Sequence, residues 1–141
     1  MSIRRKILLG LSVAAVGLLA QTANASAAVR PMTFDECGTN GDGAYNCMYI
    51  EGGGDSAIEV RGWSDPGSKF IGWDAHEQVV MPNGGTYCNS ATIDITNSSD
   101  VVGCQGGPGN IETGQWCAIL WVYVDGGNYE NAAENCGTVS A

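Results

Sequence analysis

Six cysteines constrain this chain more than any other feature: Cys37, Cys47, Cys88, Cys104, Cys117 and Cys136. All of them follow an N-terminal stretch with the order of a secretory signal. Arg4, Arg5 and Lys6 supply positive charge, Ile7 to Ala20 is apolar, and a small-residue stretch ends in Ala25-Ser26-Ala27. That order, with its A-x-A site, predicts cleavage and export. The apolar run is shorter than the roughly 20 residues a membrane-spanning helix needs. An even cysteine count in a short exported chain then predicts a disulfide framework closed outside the cytoplasm. The expected organisation is residues 1–27 as signal peptide, 28–36 as an extended arm around Pro31, and 37–141 as one disulfide-stabilised β domain, secreted to the extracellular space.

Six cysteines allow fifteen pairings. Neighbour pairing is the expectation: Cys37–Cys47, Cys88–Cys104 and Cys117–Cys136, enclosing nine, fifteen and eighteen residues rich in Gly or Asn. Each closed loop is worth roughly 3 kcal/mol if disulfides act by restricting the unfolded chain. Zinc is the rival use of cysteine. It is not expected, because the chain has no C-x-x-C pair and a single histidine, His76.

Loss of the signal sharpens the charge. Arg30, Arg61 and Lys69 are left against all fifteen acidic residues, a formal charge of −12. Such a surface repels nucleic-acid phosphates and anionic lipid, so neither is an expected partner. It suits solubility outside the cell, or a cationic partner surface or a metal.

Alternation of apolar and polar residues, the signature of half-buried strands, runs through the chain after the signal. Ile58 and Val60 alternate with Glu59 and Arg61; Ala91, Ile93 and Ile95 alternate with Thr92, Asp94 and Thr96. From Phe70 to Met81, Ile71, Trp73, Ala75, Val79 and Met81 share a face that Glu77 interrupts, while Asp74, His76 and Gln78 share the other. Tyr45 to Ile50 is a further strand candidate. Trp116 to Val124 is apolar on both faces and is expected to be central and covered on both sides. Asn131 to Glu134 is read as one helical turn. Asp65-Pro66-Gly67, Pro82-Asn83-Gly84-Gly85, Gly106 to Asn110 and Asp125 to Asn128 separate these runs with turn chemistry. The fold class that follows is all-β: a single-domain antiparallel β-sandwich or barrel stapled by three disulfides.

No cluster of residues specifies a reaction. His76 beside Asp74 could serve as a general base, yet the strand period puts both on a polar outer face, where a solvated pair is the simpler expectation. Catalytic residues and cofactors are therefore both expected to be none. The oxygen-rich loops Thr39 to Gly43 and Asp125 to Asn131 lack the EF-hand pattern and read as turns. Four tryptophans remain. Trp73 and Trp121 sit in apolar alternation and are expected in the core. Trp63, beside Asp65-Pro66-Gly67, and Trp116, at a strand start, are the expected exposed binding anchors.

Three segments carry a resemblance: Cys47-Met48-Tyr49-Ile50-Glu51-Gly52-Gly53-Gly54; His76 through Pro82-Asn83-Gly84; and Gly114-Gln115-Trp116-Cys117-Ala118-Ile119-Leu120-Trp121 with Cys136. Over roughly residues 37 to 138 they resemble small secreted cysteine-containing proteins of streptomycetes and other actinobacteria. Proteins of that kind include protease or amylase inhibitors, lectins and the adaptor subunit of umbrella toxin particles. The adaptor resemblance implies that the arm, residues 28–36, inserts into a partner's cleft. Together the residues and the resemblance predict a secreted, non-enzymatic module that binds another secreted or cell-surface protein. A carbohydrate-binding module is the alternative, and a hydrolase using His76 with Asp74 is the third.

Overall fold

The computed structural model describes residues 31–40, 43–53, 56–124 and 126–140. The expected signal peptide, residues 1–27, lies outside the described residues. No helix among the described residues is long and apolar enough to cross a membrane.

Strand-length alternating segments broken by turn residues cannot bury their apolar faces singly, so they pair into sheets and the sheets stack. The described chain forms β1 (Pro31–Thr39), β2 (Tyr45–Gly53), β3 (Ser56–Asp65), β4 (Asp74–Val80), β5 (Thr86–Asn89), β6 (Ile93–Asp94), β7 (Val102–Gly106), β8 (Gly109–Asn110), β9 (Gly114–Val124) and β10 (Asn128–Val139). One antiparallel sheet has the order β1-β2-β3-β7, with β8 also on β3. The other has the order β10-β9-β4-β5, with β6 also on β4. The fold is an all-β sandwich of two antiparallel sheets, and no closed barrel is formed among the described residues.

Two apolar clusters fill the space between the sheets. Met48, Ile50, Val60, Val79, Trp116 and Ala118 belong to one. Phe70, Ala75, Ile95, Val102, Leu120 and Val122 belong to the other. Burying each large side chain contributes about 1.5–3 kcal/mol. On β4, Glu77 falls between Ala75 of the second cluster and Val79 of the first, so a carboxyl group sits in the middle of the core.

The cysteines form the three neighbour pairs. Cys37 and Cys47 face each other across β1 and β2, and Cys117 and Cys136 across β9 and β10, so these two bonds lie within sheets. Cys88–Cys104 joins β5 to β7 and ties one sheet to the other. Every described cysteine is paired. The non-reduced protein should therefore weigh about 6 Da less than the fully reduced one, since each disulfide forms with loss of two hydrogens. Intact-mass spectrometry with thiol labelling checks this; a stoichiometric free thiol would contradict the framework.

The expected arm, residues 28–36, is extended over its described part: residues 31–36 belong to β1 and pair in register with residues 48–53 of β2. Several expectations need correction. Asn131 to Glu134 is strand, with a bulge between Asn131 and Ala133. The alternating run from 90 to 96 is ordered as strand only at Ile93–Asp94. Strand β9 is central within its sheet but not covered on both sides. Trp116, Ala118, Leu120 and Val122 enter the core, while Tyr123 on the other face is 41 % exposed.

Candidate binding face

The tryptophans fall differently from their expected places. Trp116 is 0 % exposed. Its indole N–H donates to the Glu112 carbonyl (2.8 Å), and the Tyr87 ring meets it edge-on at 5.3 Å. It cannot anchor a partner, because β9 turns this residue inward with Ala118 and Leu120. Trp63 does reach the surface, half-buried on the outer face of the first sheet. It packs beside Tyr45 (5.6 Å between ring centroids) and lines a shallow cleft with Arg61, Gly103 and Gln105. The Arg61 guanidinium lies over the Tyr49 ring at 4.9 Å, within 3.8 Å of Glu59. This face therefore carries a cation of its own.

The outer face of the second sheet holds an aromatic row that strand alternation alone does not reveal. Register sets His76 of β4 opposite Trp121 of β9, and Tyr123 of β9 opposite Tyr129 of β10. His76 and Tyr129 meet edge-on at 4.5 Å, and Tyr129 and Tyr123 at 5.5 Å. Trp121, expected in the core, is half-buried here, its indole N–H donating to Gln78 Oε1 at 3.0 Å. Gln78 in turn donates to Thr86 Oγ1 at 2.8 Å, so the row is fixed laterally by polar contacts.

The row ends at a cleft of about 440 Å³ lined by Gly72, Trp73, Asp74, Asp94 and Tyr123. Trp73, also expected in the core, is 38 % exposed. It precedes β4 rather than lying in it, so the strand's face rule does not govern it. Gly72, with φ of 85°, turns the chain there from the short 3-10 helix Ser68–Phe70 toward β4. A left-handed φ of this kind favours glycine. Backbone bonds then hold the turn. Gly72 N–H donates to the Ile95 carbonyl (2.6 Å), and Ile95 N–H to the Trp73 carbonyl (2.9 Å). Ile95 is fully buried, so the cleft is pinned to the core. Asp74 and Asp94 are direct cross-strand partners and both exposed.

Strand alternation does place Asp74, His76 and Gln78 on one outer face. No hydrogen bond joins His76 to Asp74 among the described residues. His76 Nδ1 is buried without a partner, and burial lowers its pKa. The ring packs edge-on against Tyr129.

A second polar group of note is enclosed. Glu77 is 0 % exposed and accepts from Ser64 Oγ (2.6 Å) and Asn46 Nδ2 (3.1 Å). Asn46 also donates to Ser64 Oγ (2.8 Å), and Ser64 Oγ and Asn46 are themselves buried. Gly62 makes the room: an added Cβ would lie 2.6 Å from Val79 Cγ2 and 3.2 Å from Glu77 Oε1. Burial pushes the Glu77 carboxyl up to about 8, against the opposing pull of the Ser64 and Asn46 hydrogen bonds. With no opening to solvent, this triad is part of the core rather than a site of chemistry.

Among the described residues Cys117, Cys136 and Glu134 form a group close enough to hold a metal ion. Both sulfurs are spent in the Cys117–Cys136 disulfide, so they are not thiolate ligands. No protein-family model matches the chain, and no curated protein or solved structure matches it.

Proposed function

We propose that this protein is a secreted, non-enzymatic module that binds another secreted or cell-surface protein, in the manner of an adaptor or inhibitor, through the outer face of its second sheet. The supporting observation is the row of Tyr123 and Tyr129, 41 % and 38 % exposed, running into a cleft with Trp73, Asp74 and Asp94. Exposed aromatic side chains are the usual energetic anchors of protein interfaces. The net charge of the chain, −12 once residues 1–27 are removed, favours a cationic partner and speeds its approach. Trp63 and Tyr45 on the first sheet stand as a lesser patch, beside Arg61. Disulfides across both sheets and between them suit a protein that works outside the cell.

The second reading is a carbohydrate-binding module. One observation favours it: the Trp73 and Tyr123 rings flanked by two carboxylates, since rings stack on sugar faces and carboxylates accept sugar hydroxyls. Capture of partners from native culture supernatant, compared between wild type and variants, separates the two. For a cationic protein partner, association should slow as salt rises toward 0.5 M, where the Debye length is about 4 Å. Tyr129→Ala should cost more than about 1 kcal/mol in binding while leaving the domain folded. Glycan binding that is indifferent to salt and lost in the same variant would replace the protein reading with the sugar one.

A further inference from the structure

We infer that the cleft between Trp73 and Tyr123 receives an arginine side chain presented by the partner. The inference rests on the binding-module reading and names what its main cleft recognises. Three features of the cleft converge on a guanidinium. First, Asp74 and Asp94 are directly opposed across β4 and β6. Like charges in that position repel, and neither forms an ion pair among the described residues. A cation entering between them relieves that repulsion and finds two acceptors. Second, Trp73 and Tyr123 line the same cleft, and a cation is attracted to the face of an aromatic ring, of tryptophan most of all. Third, both kinds of contact suit arginine better than lysine. Its planar group stacks on a ring while its N–H fork meets carboxylates, and it gives up water more readily than an ammonium.

No Lys or Arg is among the described residues that line the cleft. Lys69 Nζ is placed over the Phe70 ring, and Arg61 is on the other sheet over Tyr49. The walls are also preformed. The backbone bonds between Gly72, Trp73 and the buried Ile95 hold Trp73 and Asp94 in place before a ligand arrives. Preorganisation of this kind reduces the ordering cost of binding.

The test is titration of the full exported chain with the blocked tripeptide acetyl-Gly-Arg-Gly-amide, followed by tryptophan fluorescence and by the Trp73 indole N–H signal in NMR. Matched peptides carry lysine or neutral citrulline in place of arginine, and a chito-oligosaccharide serves as the sugar probe. The arginine peptide should bind tighter than the lysine one and shift the Trp73 signal, with citrulline inactive. Asp94→Asn should weaken binding about tenfold, the scale of a lost hydrogen bond to a charged group. Asp35→Asn removes the same charge from an exposed position on β1 and should change affinity less than about twofold, as a remote screened charge does. Equal losses in the two variants, equal binding of citrulline, or a Trp73 shift produced by the sugar alone would each overturn the assignment. Failure here, with salt-sensitive and Tyr129-dependent capture of a protein intact, removes arginine recognition and leaves the binding-module reading standing. Loss of that capture as well removes both.

Discussion

Replacing Glu77 by glutamine is expected to flatten most of the change in folding stability between pH 4.5 and about 8. In the unfolded chain this carboxyl ionises near 4.5, and in the fold at about 8, because burial disfavours the charged form. The folded state therefore holds its proton over a range where the unfolded state has lost it. Glu77's contribution is complete below pH 4.5, shrinks as pH rises, and is gone above about 8. At about 1.4 kcal/mol per pH unit, the loss across the window is up to about 5 kcal/mol. An amide cannot ionise, and it keeps an oxygen that can accept from Ser64 or Asn46. Urea midpoints at pH 4.5, 6 and 8 should fall steadily for the wild type and change much less for the variant. The difference between the two profiles cancels other groups, including His76. Its lowered pKa acts in the opposite sense, withdrawing stability as pH falls through the His76 range. Parallel profiles would mean that Glu77 is ionised in the folded protein.

Glu77 was visible in the sequence as the interruption of an otherwise apolar face, and the structure explains how the fold tolerates it. Strand period alone assigns Ala75, Glu77 and Val79 to one side. It cannot supply the partners, because Asn46 and Ser64 come from β2 and β3, residues distant in sequence that meet Glu77 only when the sheets stack. The same period put Asp74, His76 and Gln78 outside.

It failed where one of its premises was absent. Trp73 lies before the strand, after the turn at Gly72, so the alternation from Ala75 to Val79 does not extend to it. Strand β10 was missed because its sequence, Asn-Tyr-Glu-Asn-Ala-Ala-Glu-Asn-Cys-Gly-Thr-Val, offers few apolar residues. It is held by its long register on β9 and the Cys117–Cys136 bond, neither of which shows as hydrophobic pattern. The aromatic row was invisible for a related reason. Tyr129 and Tyr123 become neighbours through the β9–β10 hairpin, and His76 reaches Tyr129 only across the sheet.

Strand β9 shows the sharpest form of this limit, and it sets the other large effect. Its segment from Trp116 to Val124 is apolar at nearly every position, so alternation yields two possible inner faces and no means to choose. The choice is made by what lies on the neighbouring strands. β4 carries Asp74, His76 and Gln78 outward, and pairing in register forces Trp121 and Tyr123 to the same side. Trp116 then has to point in. It fills the first apolar cluster, with its indole N–H satisfied by the Glu112 carbonyl. Trp116→Ala should therefore destabilise the domain by about 3–5 kcal/mol, the cost of removing a large buried aromatic and leaving a cavity. Trp63→Ala, at a half-buried surface position, should cost clearly less, on the order of 1 kcal/mol. Denaturant unfolding of the two variants checks the contrast. Comparable losses at both positions would mean that Trp63 is as much a core residue as Trp116. A negligible loss at Trp116 would mean that β9 presents its other face to the core, and the aromatic row on the second sheet would then lose its basis.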